Sequence, residues 1–255
     1  MVPGIQGKVV VITGGASGIG KAAALAFARE GAKVMIATAR SLSAAADVVT
    51  EIRSLGGEAS HVQCDVTEEV QVQAMVAAVI ATYGRLDFAF NNAGVGPDGV
   101  TIPFRPLVDL EESDWDIVAD VNLKGVFLCM KHELRRMREQ CAGVIVNTAS
   151  TGGMKMMPGF GAYGPSKAAV CALTRLAAAE NRDKGVRVNV VAPGPTKGTG
   201  MSGRLLSALE EGEGPPRHLM GMPEDPAKVA LWLCSDDASF VTGNIITVDG
   251  GLDVS

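Results

Sequence analysis

The sequence predicts a single-domain α/β protein: one doubly wound parallel sheet of about seven strands with helices on both faces. Three observations lead there. Short β-branched runs alternate with longer helix-like segments along all 255 residues, the order that a parallel sheet with right-handed crossovers requires. Several runs, Val9-Val10-Val11-Ile12-Thr13 and Val144-Ile145-Val146-Asn147-Thr148 among them, are apolar without strict alternation, as suits strands covered on both faces. The first run leads straight into the glycine-rich stretch Thr13–Gly20, which opens a helix.

Strands are expected at Lys8–Thr13, Lys33–Thr38, Ala59–Gln63, Leu86–Phe90, Gly143–Thr148, Val186–Ala192 and Asn244–Val248, with helices near 18–30, 42–55, 68–83, 113–139, 161–183 and 226–235. Punctuation supports these bounds. Gly56-Gly57 offers the left-handed residue that commonly ends a helix. Ser113-Asp114-Trp115-Asp116 has the form of a capping box. Asp225-Pro226 offers an N-cap followed by proline at the first helical position. Two Gly- and Pro-rich stretches, Val95–Leu110 and Gly194–Pro223, belong to no element and both follow strands. Ligands of open α/β sheets sit beyond the carboxyl ends of strands, so these stretches are candidate substrate walls.

Composition removes several classes. With 23 Lys+Arg against 28 Asp+Glu the formal charge is −5, and no basic stripe marks a nucleic-acid surface. At 47% hydrophobic and 20% charged residues the chain can bury a sizeable core, which excludes disorder as its main state. No apolar stretch approaches the roughly 20 residues that span a bilayer. The first residues show no secretion signal. The five cysteines (Cys64, Cys129, Cys141, Cys171 and Cys234) are scattered without a CxxC pair, and are expected as buried reduced thiols of a cytoplasmic protein. His61, His132 and His218 lack metal-ligand spacing, so no metal is expected.

Five features carry chemistry. The turn with Gly14, Gly18 and Gly20 lets backbone N–H groups and a helix N-terminus face a pyrophosphate without obstruction by a Cβ. Asn91-Asn92-Ala93-Gly94 follows the fourth strand, where small residues and amides let a cofactor lie close. Tyr163 and Lys167 stand four apart on one helix face. An ammonium beside a phenol favours the phenolate, which makes Tyr163 a candidate general acid/base. Ser150 ends the run that begins at Val144, at the mouth of the fifth strand, where its hydroxyl can meet a substrate oxygen. Asn122 sits among Val121, Leu123 and Val126 in the middle of a helix. Asparagine is a mediocre helix former, so it marks either a distorted, water-binding turn or a satisfied buried amide.

Taken together, in this order and spacing, these motifs resemble those of the short-chain dehydrogenase/reductase family over essentially the whole chain, a family with a Rossmann-type fold. Asp65, Pro193-Gly194 and Val248-Asp249-Gly250-Gly251 add to the likeness. The resemblance implies a catalytic tetrad of Asn122, Ser150, Tyr163 and Lys167. Tyr163 would exchange a proton with the carbonyl or alcohol oxygen that Ser150 orients. Lys167 would bind the nicotinamide ribose and lower the Tyr163 pKa, and Asn122 would hold a water linking Lys167 to solvent. The cofactor would be cradled by Gly14, Ser17, Gly18, Ile19 and Gly20, by Asn92, Ala93 and Gly94, and by Pro193 and Gly194. Asp65 and Val66 would contact the adenine, although Asp65 is equally suited to cap the next helix. A threonine is expected to bond the carboxamide, and Thr196 and Thr199 are the candidates.

Members that prefer NAD place a carboxylate at the end of the second strand. Here the segment reads Ala37-Thr38-Ala39-Arg40, without one. Thr38 takes the acidic slot, and Arg40 can offer a fork to a 2′-phosphate. NADP(H) is therefore favoured over NAD(H), although Ser17 stands where NADP-preferring members often carry a basic residue. Met154, Met156, Met157 and Phe160 lie between Ser150 and Tyr163 and suit an adaptable apolar wall. The segment near 195–223 resembles the family's substrate lid, with Leu205, Leu206 and Leu209 on one face. Arg105, Lys155 and Arg204 can meet an anionic group. The expected substrate is a small-molecule ketone or secondary alcohol of apolar or mixed polarity. A 3-oxoacyl thioester reductase is the runner-up, and a non-catalytic dinucleotide-binding sensor is the reading outside redox chemistry. A lyase or epimerase on the same fold has no support from the spacing of Ser150 and Tyr163. The resemblance further implies a homotetramer assembled through the two long helices and the C-terminal segment.

Overall fold

The computed structural model of the chain describes residues 2–98, 102–200, 202–203 and 220–252. Seven strands form one sheet: β1 (Val9–Thr13), β2 (Lys33–Thr38), β3 (Glu58–Gln63), β4 (Phe88–Asn91), β5 (Gly143–Thr148), β6 (Val186–Pro193) and β7 (Ile245–Val248). Every neighbouring pair is parallel, in the order β3-β2-β1-β4-β5-β6-β7. Between them run α1 (Gly18–Arg29), α2 (Leu42–Ser54), α3 (Glu69–Tyr83), α4 (Glu112–Ala119), α5 (Gly125–Gln140), α6 (Tyr163–Asn181) and α7 (Glu224–Cys234).

Why β1 reads as an unbroken apolar run is visible in its packing. Val9 and Val11 join a core with Met75, Val126 and Val170, from α3, α5 and α6. Val10 and Ile12 join a second core with Phe27, Val48 and Leu231, from α1, α2 and α7. A period-2 strand covered on both sides has no polar face to show. The strand order reverses at β1, whose neighbours are β2 and β4. The carboxyl ends of β1 and β4 are thus where an open α/β sheet of this order binds its ligand.

Local signals held unevenly. Gly56 adopts φ +83°, and the N–H groups of Gly56 and Gly57 reach back to the carbonyls of Arg53 and Ile52, so α2 ends as the sequence indicates. The capping box at Ser113–Asp116 does not form. Instead α4 starts at Glu112 after an extended Glu111, which puts Ser113 inside the first turn, where acidic Glu112 and Asp114 suit the helix dipole. Pro226 is not at the first position of α7, which begins at Glu224. It remains in the first turn, where N–H groups have no intrahelical partner to lose, and Asp225 accepts a 2.8 Å bond from the Met222 N–H. The single helix expected near 113–139 is α4 and α5 joined through a π turn at Asp120–Lys124. Four cysteines are buried as expected, but Cys141 is exposed at the left-handed end of α5.

Candidate active site

The site begins where β1 runs out. Gly14 and Gly18 have positive φ of +65° and +51°, backbone that glycine adopts at little cost. A Cβ on Gly20 would lie 2.3 Å from the Gly14 carbonyl oxygen and 2.7 Å from Asn92 Nδ2. Ser17 precedes α1 in extended conformation and makes no side-chain cap. The first N–H groups of α1 are thus available to an anion. Thr13, which the sequence reading passed over, ties this turn to the Asn92–Gly94 segment. Its hydroxyl oxygen accepts from the N–H groups of Asn92 (3.0 Å) and Ala93 (3.1 Å), while Asn92 Nδ2 donates to the Thr13 carbonyl at 3.2 Å. The available signal was a hydroxyl at the end of an otherwise aliphatic strand.

Thr13→Val keeps the shape but removes the acceptor of both N–H groups. The loss is expected at about 1–3 kcal/mol per unsatisfied group, read as a lower thermal midpoint and weaker dinucleotide binding in calorimetry. An unchanged melting curve would contradict this role for Thr13.

The four tetrad positions come from three places: Asn122 from the π turn, Ser150 from just beyond β5, and Tyr163 and Lys167 from the start of α6. Asn122 lies in the π turn with 0% exposure. Its Oδ1 accepts from the Val95 N–H and its Nδ2 donates to the Val95 carbonyl, each at 2.8 Å, with Ser166 Oγ at 3.3 Å from Nδ2. Both expectations for Asn122 are therefore met in part: the amide is satisfied, and the helix is distorted around it by a π turn, a feature frequent at functional sites. Lys167 is buried and donates from Nζ to the Thr148 carbonyl at 2.9 Å. A Cβ on Gly94 would sit 3.2 Å from Asn122 Oδ1 and 3.3 Å from Lys167 Nζ, so only glycine leaves this spot open. Lys167 Nζ is 5.9 Å from the centre of the Tyr163 ring. Gly152 brings Ser150 and Tyr163 to one place, since a Cβ there would meet Ser150 Oγ at 3.4 Å and Tyr163 Cε1 at 3.5 Å. Ser150 Oγ also accepts from the Gly152 N–H at 3.1 Å.

The electrostatics differ from the expectation for Tyr163. Burial pushes its phenol above the ordinary tyrosine value, against a smaller opposing pull from Ser150. Burial also draws Lys167 down to about 8. Helical spacing counts the attraction between the two groups but not the cost of taking each out of water, and here desolvation is the larger effect.

Around the rest of the crevice the expected residues fall as follows. Thr38 is buried at the end of β2, and its carbonyl accepts from the Cys64 N–H at 3.0 Å. Arg40 is exposed and makes no hydrogen bond or ion pair among the described residues. Asp65 Oδ1 accepts from both the N–H (3.0 Å) and the hydroxyl (2.8 Å) of Thr67, so it holds the turn into α3. Val66 packs against α5 at Gly125. Pro193 ends β6 with its carbonyl 3.5 Å from Ser150 Oγ, and the Gly194 N–H donates to Val248 at 3.0 Å. Thr196 turns back on the Gly194 carbonyl at 3.0 Å. Thr199 approaches the glycine turn, its Cγ2 3.3 Å from where a Cβ on Gly18 would stand, and its hydroxyl lies 2.7 Å from Ser202 Oγ.

Met154, Met156 and Met157 are exposed as a wall would be. Phe160 stacks edge-on against Phe104 (5.3 Å between ring centres) and lies 6.3 Å from the Tyr163 ring. The sequence reading did not single out Phe104. Arg105 does not stand ready for an anion: it pairs with Glu111 at 3.4 Å and lies 3.8 Å from Asp114. Arg204, Leu205, Leu206 and Leu209 of the expected lid lie outside the described residues, as does His218. Among the described residues no helix is long and apolar enough to cross a membrane, and no group of three or more His, Cys, Asp or Glu could hold a metal ion.

Residues 14–253 match the family model described as enoyl-(acyl carrier protein) reductase. The chain belongs to the short-chain dehydrogenase/reductase family. It is similar to a 3-oxoacyl-[acyl-carrier-protein] reductase of Thermotoga maritima, 41% identical over 250 residues that cover 97% of this chain and 98% of that protein. A cyclohexanol dehydrogenase of Acinetobacter sp. is 39% identical over 246 residues, 95% of this chain and 94% of the relative. Among solved structures, NAD+-bound xylitol dehydrogenase matches with a TM-score of 0.89 at 33% identity, covering 97% of this chain and all of that one (100%). This short-chain dehydrogenase/reductase is thus an oxidoreductase from a family that binds a nicotinamide dinucleotide. Its residues fit such a group: Gly20 and Gly94 stand where a Cβ would crowd the turn and the Asn122–Lys167 pair, and the start of α1 has no side-chain cap.

Proposed function

We propose that this short-chain dehydrogenase/reductase interconverts a ketone and a secondary alcohol, with Tyr163 as the general acid/base. The observation that carries the reading is that Ser150 meets Tyr163 at Gly152 and Asn122 meets Lys167 at Gly94, with Lys167 Nζ 5.9 Å from the centre of the Tyr163 ring linking the two pairs. The bound nicotinamide supplies or accepts the hydride. Ser150 holds the substrate oxygen, and Tyr163 Oη gives that oxygen a proton or takes one from it. Lys167, anchored on the Thr148 carbonyl, would hold the cofactor ribose through its amine, and Asn122 fixes the Val95 backbone. Burial raises the Tyr163 phenol, so the free side chain carries a proton that it can give to a carbonyl oxygen.

The wall of Phe104, Phe160 and the three methionines suits an apolar, ring-shaped substrate, and the likeness to a cyclohexanol dehydrogenase agrees. A 3-oxoacyl thioester reductase is the second reading, favoured by the 41% identical relative. Residues near 195–223 serve as the lid in either case. The domain acts as a homotetramer, with Phe127 on α5 and Leu176 on α6 exposed for that contact.

NADP(H) is the proposed cofactor, supported by an exposed Arg40 and by the absence of a carboxylate at 37–39; NAD(H) is the alternative. Calorimetric titration with NADPH and NADH side by side tests this. A charge-assisted bond from Arg40 is worth about 1.5–3 kcal/mol, so NADPH is expected to bind about ten-fold or more tightly, and Arg40→Ala to erase the difference. Tighter NADH binding would reverse the assignment, and binding of neither would overturn the functional reading.

A further inference from the structure

Asn91 ends β4 one residue before the segment that closes on the glycine turn. Its Nδ2 donates to Glu133 Oε2 on α5 at 2.9 Å and to Asn147 Oδ1 on β5 at 3.0 Å. Asn147 Nδ2 donates in turn to Thr174 Oγ1 on α6 at 2.9 Å. All four side chains are buried, Glu133 with 0% exposure. The cluster offers more acceptors than donors, and Glu133 Oε1 and Asn91 Oδ1 have no hydrogen-bond partner among the described residues. Among the described residues no cation faces the carboxyl. The titratable groups near it are the Cys64 thiol after β3 and the Cys129 thiol one turn earlier on α5. Burial pushes both thiols up, Cys64 to about 12, so neither is charged at neutral pH. The neighbours from β4, β5 and α6 are amides and a hydroxyl.

A buried carboxylate with a single neutral donor and no counter-charge is the costly form of this side chain. The neutral acid avoids that cost and adds a donor the cluster lacks. We propose that Glu133 is a positioning residue: a buried neutral carboxylic acid that holds Asn91, and through it Asn92–Gly94, in the conformation that receives the dinucleotide. Loss of its proton then loosens that segment and weakens dinucleotide binding. The inference rests on the dinucleotide-binding reading above. Burial raises the Glu133 carboxyl from 4.5 to about 7. For an acid raised on folding, the stabilising contribution is complete below the unfolded value of 4.5 and is lost as pH rises through about 7.

The test compares the wild-type protein with Glu133→Gln, which keeps the shape and cannot ionise. The wild-type melting temperature, without dinucleotide, is expected to fall between about pH 5 and pH 8, and that of the variant to fall less. Affinity for the preferred dinucleotide is expected to weaken several-fold from about pH 6 to pH 8.5 in the wild type and distinctly less in the variant. Lys167 titrates in the same window in both proteins, so only the difference between the profiles reports on Glu133. Superimposable binding profiles would overturn the proposal alone. Absence of dinucleotide binding in both proteins would overturn the functional reading as well. Should Glu133→Gln fail to fold, infrared spectra of the wild type decide. A protonated-carboxyl band present near pH 6 and gone near pH 8.5, in step with affinity, supports the proposal, and no such band near pH 6 overturns it.

Discussion

Replacing Tyr163 by phenylalanine is expected to lower kcat by about 10²–10⁴-fold, the contribution of a positioned general acid, with dinucleotide affinity nearly unchanged. The substitution deletes one oxygen and leaves the ring against Phe160, with Lys167 still on the Thr148 carbonyl. Binding and chemistry therefore separate: calorimetry should return the wild-type affinity while steady-state assays lose turnover. A variant that retained full activity would mean that the proton reaches the substrate oxygen by another route, and the mechanism would be wrong.

Gly20→Ala is expected to act on binding instead. The added Cβ would stand 2.3 Å from a backbone oxygen and 2.7 Å from Asn92 Nδ2, far inside contact distance. Neither neighbour is the end of a flexible chain: Gly14 is held in a left-handed turn, and Asn92 is bonded to Thr13. The turn must shift, at a cost of about 1–3 kcal/mol for an overpacked site. The dinucleotide that reads the turn should bind about ten-fold or more weakly. Titration calorimetry beside a melting curve checks this, and wild-type affinity in the folded variant would contradict a cofactor role for the turn.

Much of the site was legible because backbone geometry imposes residue types at neighbouring positions. Gly14, Gly18 and Gly20, the Asn92–Gly94 segment and the Tyr163–Lys167 spacing could all be read locally. What escaped depends on partners distant in the chain. Thr13 acts on residues 79 and 80 positions away, and Glu133 meets Asn91 across 42. Phe104 meets Phe160 only because an isolated bridge pairs Arg105 with Phe160. The starts of α4 and α7 were misread because extended Glu111 and the residues before Glu224 set the chain's entry, whatever the local cap offers. The Tyr163 phenol was misjudged for a related reason: spacing along a helix reports which charges are close, but not how much water the fold removes around them.

The π turn at Asp120–Lys124 has a consequence for insertions and deletions. A π turn carries one residue more than an ordinary helical turn, and each residue turns a helix by about 100°. Positions on α5 are therefore out of phase with those on α4, and the side of α5 that carries Val126, Cys129, Glu133 and Met137 into the core is set by that single extra residue. Losing one residue here would restore a regular helix and rotate α5 as a whole, taking Glu133 away from Asn91. Chain length across these five residues is thus a stricter requirement than the identity of most of the side chains in them.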